Sequence, residues 1–219
     1  FDVELEAKAE EELDEVLREA FDRLSWHYDL SGIVAIGHRV VHGGDLFDGP
    51  VLIDDQALSQ MEALITLAPL HQPQALRLVR AITRLRPEIR QTASFDTAFH
   101  RTQAETVRRF ALPRQLYQEG IKRYGFHGLS YRSIANQLLK NWPEQAPGKV
   151  VVAHLGSGAS LCAMHNCVSR DTTMGFSTLD GVPMATRCGA LDAGVVIHLA
   201  KTGRDLGEIE DLLYHRSGL

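Results

Sequence analysis

Imidazole and guanidinium side chains recur beside glycines in this sequence, and that pairing is the first pointer to chemistry. His38, Arg39 and His42 lead into Gly43 and Gly44, His71 stands in "APLHQP", Asp96 and His100 lie in "SFDTAFH", and His127 sits in "YGFHG". In "VVAHLGSGAS" a run of β-branched residues enters a turn made of Gly156, Ser157 and Gly158, with His154 just ahead of it. Such a turn lets the backbone approach a ligand and can aim several N–H groups at one anion, so a phosphate would suit it. A β-hairpin that turns on glycine and serine for steric reasons would carry the same letters.

Two chemistries could use these residues. Phosphoryl transfer asks for positioning and charge neutralisation, hence arginines, a phosphate-cradling turn and a carboxylate near Mg²⁺. Arg39, Arg187, the "HLGSG" turn and Asp96 supply those parts. Metal-assisted hydrolysis would instead draw on His38, His42, Asp96 and His100 as ligands. Period decides between them. On a strand, positions four apart face the same side but lie roughly 13 Å from each other, too far for one ion, and "GIVAIGHRVVHGG" has strand character. A histidine beside an apolar strand, taken singly, is more often a hydrogen-bonded structural group.

The elements that must hold these residues alternate along the first half of the chain. A buried strand begins near Ile33 and breaks at Gly43–Gly44; "DDQALSQMEALITL" and "QPQALRLVRAITRLRP" have helical period, the second starting near Pro73 and ending at Pro87. "IRQTASFDTAFH" returns to strand and ends at Asp96. Strand–helix alternation predicts an α/β layer with a largely parallel sheet, whose strand carboxyl ends are where ligands bind. Helical segments follow, from "TQAETVRRFALP" to "GLSYRSIANQLLKNW". Then "PGKVVVAHLGSGASLCAMHNCVSRDTTMGFS" predicts three short antiparallel strands, a second sheet. "DAGVVIHLAKTG" and "LGEIEDLLYHR" are helical, with Gly203 a stop signal.

Composition narrows the function class. With 219 residues, 44% of them hydrophobic, the chain can bury a sizeable core. Residues 1–26 hold ten acidic and three basic side chains, so −7 lies there and the remainder carries +2 of the net −5. This acidic amphipathic helix, with Leu13, Val16, Leu17, Ala20, Phe21 and Leu24 on one face, makes nucleic acid a poor partner. No apolar run is long enough to span a bilayer, so no membrane role and a cytoplasmic location are expected. Cys162, Cys167 and Cys188 form no CxxC pair and are expected as small buried hydrophobes in a reducing compartment.

Six segments, "IGHRVVHGG", "APLHQP", "SFDTAFH", "RYGFHGLSY", "VVAHLGSGAS" and "DTTMGFSTLDGVPMATRCG", occur in an order and spacing that resembles the acetate kinase (acetate/propionate kinase) family over about residues 33 to 200. The resemblance implies the two-domain, actin-like α/β fold shared with sugar kinases and chaperone ATPases, with an active site in the cleft between domains. Residues 1–98 would be an N-terminal domain without its first strands, and 99–219 an incomplete C-terminal nucleotide-binding domain. It further implies a homodimer, and ATP-dependent, Mg²⁺-requiring phosphorylation of acetate or propionate by direct in-line transfer.

Carried over motif by motif, Arg39 and Arg187 resemble the two arginines that hold the carboxylate and the moving phosphoryl group, a task suited to a guanidinium fork. His127 resembles the family's transition-state histidine. Asp96 matches the carboxylate associated with Mg²⁺. Val41, Leu70 and Phe126 match the walls of the pocket for the acid's alkyl group, His71 and His154 match supporting histidines, and Gly156, Ser157 and Gly158 match the loop that closes on the nucleotide phosphates. Several positions depart from the family pattern: Ser157 replaces a common asparagine, Thr178 a pocket proline, Ala185 and Ala190 a glycine and an aspartate, and Tyr131 a histidine. The family's first phosphate loop, its adenosine-binding segment and a Mg²⁺-associated glutamate would lie outside residues 1–219. The chain is therefore expected to be an internal fragment, inactive by itself. A non-catalytic nucleotide-binding module of the same fold is the alternative, disfavoured by two arginines and an alkyl slot on the acceptor side.

Overall fold

The computed structural model describes residues 13–69 and 71–219, so the first part of the expected acidic helix and Leu70 lie outside the described residues. The chain divides into two compact units between Phe95 and Asp96.

The first unit opens with helix α1 (Leu13–Ser25), followed by β1 (Ala35–Val40), β2 (Val51–Leu52), α2 (Asp55–Glu62), α3 (Gln72–Leu85) and β3 (Arg90–Phe95). Its three-stranded sheet has the order β1-β3-β2, with β1 parallel to β3 and β2 antiparallel to it. The sheet is thus mixed rather than purely parallel. β2 pairs through only Val51 and Leu52, too short to show an alternating pattern in the sequence. Asp54 caps α2 by accepting from the Ala57 N–H at 2.7 Å. The helix expected through "ALITL" stops at Glu62 and tightens into a 3-10 turn at Ile65–Leu67. α3 begins beside Pro73, whose fixed φ suits a first turn, and ends just before Pro87. It buries Leu76, Val79 and Ile82 at helical spacing, and with Val40, Met61 and Phe95 they form the core of the unit.

The second unit starts at Asp96 with a 3-10 turn (Ala98–Thr102) and short helices α4 (Glu105–Arg108) and α5 (Arg114–Gln118). Helix α6 (Gly128–Asn141) precedes the antiparallel sheet β4 (Lys149–Leu155), β5 (Ala159–His165) and β6 (Val168–Thr172), in that spatial order. α7 (Ala193–Lys201) and α8 (Leu206–His215) close the unit, α8 with a capping box between Asp205 and Glu208. Val150 and Val152 pack from one face of β4 against a cluster of Phe99, Tyr131, Ala135, Cys162 and Met164. Full burial of such side chains stabilises by about 1.5–3 kcal/mol each. Of the cysteines only Cys162 is buried. Cys167 and Cys188 are partly exposed, contrary to expectation, because they sit in the β5–β6 turn and in a loop after Arg187 rather than on inward strand positions. Among the described residues no helix is long and apolar enough to cross a membrane.

Candidate functional site

In the first unit, the residues of "IGHRVVHGG" divide by the strand's period of two. His38 and Val40 point into the core, whereas Arg39 between them is exposed. His38 donates from Nε2 to Gln91 Oε1 at 2.7 Å, and Gln91 in turn donates to Thr83 at 2.8 Å. Burial lowers the His38 pKa, so the imidazole is held neutral. His42 lies past the strand end, buried, and its Nδ1 accepts the Gly44 N–H at 3.0 Å. Desolvation brings its pKa down to about 4. Gln72, at the start of α3, holds the His42 backbone on both sides, accepting from its N–H at 3.3 Å and donating to its carbonyl at 3.1 Å. His71, next to it, is half-buried at the α3 N-cap. Val41 is half-buried. Gly43 allows Phe95 to lie against the backbone, since a Cβ there would come within 2.9 Å of that ring.

In the second unit the sequence "GFHG" makes a turn that only its glycines permit. His127 itself is left-handed, φ 58° and ψ 20°, a conformation costing about 1–2 kcal/mol for a residue with a side chain. The strain is held in place by the Gly128 N–H, which donates to the Asp96 carbonyl at 2.9 Å; a Cβ at Gly128 would lie 2.0 Å from that oxygen. Asp96, 1% exposed, is thereby fixed to the first turn of α6, and Phe126 is equally buried. His100 lies beneath, donating from Nε2 to the Phe126 carbonyl at 2.9 Å and accepting at Nδ1 from Ser169 at 2.8 Å. Burial lowers its pKa to about 4. His100 is a neutral strut, and among the described residues no group of three or more His, Cys, Asp or Glu is arranged to hold a metal.

Around His127 the imidazoles and hydroxyls form a layer. The rings of His127 and His154 stack at 4.1 Å with 19° between planes. His127 Nδ1 meets Ser160 Oγ at 2.8 Å, Ser160 also pairs with the Tyr131 hydroxyl, and His154 Nδ1 meets Ser130 Oγ at 3.0 Å. Ser160 and Tyr131 are fully buried, and burial pushes the Tyr131 hydroxyl up to about 12 despite its bond to Ser160. Gly156, Ser157 and Gly158 close the β4–β5 hairpin between the paired Leu155 and Ala159. Neither glycine of this turn has a positive φ. They serve clearance: a Cβ on Gly156 would meet His154 Nε2 at 3.2 Å, and one on Gly158 would meet His127 Nε2 at 3.2 Å and an Arg187 Nη at 3.4 Å. Arg187 is braced by donating to the Thr178 carbonyl at 3.1 Å and by lying 6.0 Å from the Tyr214 ring. Its loop is strapped to the end of α8 by Cys188 N–H to Leu213 and Ser217 N–H to Thr186.

The second unit thus brings together His127, His154, Arg187 and the glycine turn, while Asp96 sits one hydrogen bond from the same helix start. Arg39, Val41 and His71 belong to the first unit. Ser160 and Ser130 have no part in the sequence-level reading. Serines 33 and 24 residues from their histidines leave no local signal of the pairing.

The Acetokinase family model matches residues 3–219. An acetate kinase of Rhodopseudomonas palustris (strain TIE-1) is 54% identical over 187 residues, 84% of this chain and 47% of that protein. An acetate kinase of Methylocella silvestris is 50% identical over 188 residues, 85% of this chain and 46% of that protein. The crystal structure of a propionate kinase from Francisella tularensis superposes with a TM-score of 0.90 at 39% identity, covering 94% of this chain and 54% of the other. The chain spans about half the length of the curated relatives it matches.

Proposed function

This chain belongs to the acetokinase family and has its α/β, actin-like fold, and from that premise we propose that its residues serve an ATP-dependent kinase for a short-chain carboxylate, acetate or propionate. The observation that carries the reading is the meeting of the His127 Nε2 edge and the Arg187 guanidinium at the side-chain-free Gly158. A hydrogen-bond donor and a fixed cation around a bare backbone turn match the equatorial oxygens of a phosphoryl group in transfer. In the reaction, a carboxylate oxygen of the acid bonds to the γ-phosphorus as its bond to the ADP oxygen breaks, giving acyl phosphate and ADP. The acid is ionised at neutral pH, so no base is required, in keeping with a site built from guanidinium groups and hydrogen-bonding imidazoles.

Within this reading, residues 1–98 and 99–219 are parts of the N- and C-terminal actin-like domains. Arg39 and Arg187 hold oxyanions, Val41, Leu70 and Phe126 with His71 bound the acid, and His154 with the 156–158 turn faces the nucleotide. Mg²⁺ comes in with ATP as part of the substrate. Asp96 is the residue that would offer that ion a hard oxygen ligand, and the ion would supply charge neutralisation on the phosphates. A cytoplasmic homodimer belongs to the same reading and is supported by family resemblance.

The test is a hydroxylamine trap for acyl phosphate, run on the full-length polypeptide carrying this chain with ATP, Mg²⁺ and acetate, propionate or butyrate. Hydroxamate is expected, with an Arg187→Ala variant reduced by roughly a hundred-fold or more. ATP binding without hydroxamate from any of the acids would defeat the proposal.

A further inference from the structure

Tyr131, Ser160 and His127 form a chain of hydroxyl and ring contacts whose donor directions can be worked out. Tyr131 is fully buried, and among the described residues its hydroxyl has one side-chain partner, Ser160. The backbone N–H of His154 also favours the ionised Tyr131 oxygen, so it acts there as a donor. The tyrosine proton, kept on oxygen by burial, therefore has Ser160 Oγ as its acceptor. Ser160 is likewise fully buried, and its side-chain partners are Tyr131 and His127 Nδ1. With Tyr131 donating to it, its own proton goes to His127 Nδ1, since a buried hydroxyl without an acceptor costs about 1–3 kcal/mol. A neutral imidazole that accepts at Nδ1 carries its proton on Nε2.

We propose that Tyr131 and Ser160 are positioning residues that hold His127 in the Nε2–H tautomer and fix its ring, so that a donor rather than a lone pair faces Gly158. The purpose rests on the phosphoryl-transfer reading: phosphoryl oxygens only accept, and the wrong tautomer would set a lone pair against them. The relay gives the site a donor even when the imidazole is uncharged. Tyr131 stands where the family pattern has a histidine, so the device belongs to this chain's own residues.

The experiment labels histidine nitrogens in the full-length protein and reads the His127 tautomer by long-range ¹H–¹⁵N spectra near pH 8, alongside acyl phosphate kinetics. The proton is expected on Nε2. Ser160→Ala should lose the single tautomer, and Tyr131→Phe, which keeps the ring against Phe99 and His100, should shift it part way. In Ser160→Ala, kcat should fall roughly ten-fold near pH 8, with little change in KM for ATP. That deficit should shrink as the pH is lowered far enough to protonate the ring, since an imidazolium donates from both nitrogens. A proton on Nδ1 in the unaltered protein would overturn the proposal. So would variants whose tautomer and pH profile match the unaltered protein. An Nε2–H signal that depends on Ser160, in a protein forming no acyl phosphate, would support the relay while defeating the kinase reading.

Discussion

Gly158 is where one methyl group would report on the whole second-unit cluster. An added Cβ would press on His127 Nε2 at 3.2 Å and on an Arg187 Nη at 3.4 Å. The arginine can swing away, but His127 is held by Ser160 and by its stack on His154. Gly158→Ala is expected to lower kcat/KM for ATP by roughly ten-fold or more, with stability changed by less than about 1 kcal/mol. Steady-state kinetics beside a urea midpoint would check both halves. His100 makes the opposite kind of prediction. Its folded pKa, about 4, lies below the ordinary value of 6.5 because burial disfavours the charged ring. The unfolded chain then binds the proton first, so stabilisation is present above about pH 6.5 and is lost as pH falls through 4. A linkage of this size amounts to about 3 kcal/mol. The urea midpoint should decline over that window, and a His100→Gln variant should show a shallower decline. His42, lowered to about 4 by the same cause, adds in the same direction.

At the scale of elements, the turn from Gly125 to Gly128 sets the start of α6 and with it the direction of His127. Gly128→Ala would drive a Cβ to 2.0 Å from the Asp96 carbonyl oxygen, a backbone atom that cannot give way. The expected result is a loss of at least about 2 kcal/mol with activity largely abolished, measured by denaturation and by the hydroxamate assay. Such places were legible in the sequence, because glycines around a histidine and after a β-branched run announce a backbone that must come close to something. The strand–helix alternation of the first unit and the antiparallel hairpins of the second were legible for a similar reason, their hydrophobic periods being long. β2 was not, since two residues carry no period, and the helix from Asp55 stopped early where Leu64 is drawn under the Gly44 backbone. The hydroxyl partners of His127 and His154 were also invisible. Pairings of Ser160, Tyr131 and Ser130 depend on how α6 and its first turn lie against β4 and β5, which is tertiary information.

At the scale of the whole molecule, β4 of the second sheet carries apolar residues on both of its faces, yet in the described residues only one of them is covered. Val150 and Val152 enter the core with Phe99 and Tyr131, whereas Val151 and Leu155, on the opposite side of β4, are 70% and 77% exposed. Their β5 partners are Ala163 and Ala159, so the apolar surface runs across the middle of this face, with Lys149 at the start of β4 and Asp171 beyond Ala163 on β6 as its charged margins. α7 buries none of its residues, and its Val195 and Ile197 are exposed. Strands buried on both faces read as continuous apolar runs, and "VVVA" is such a run. Exposed apolar surface of this kind is an association hazard. The 219-residue chain prepared alone is therefore expected to bind a hydrophobic dye and to sediment as oligomers. A paired Val151→Lys and Leu155→Glu substitution should reduce both signals. Dye binding and sedimentation that ignore those two substitutions would show that the surface responsible lies elsewhere.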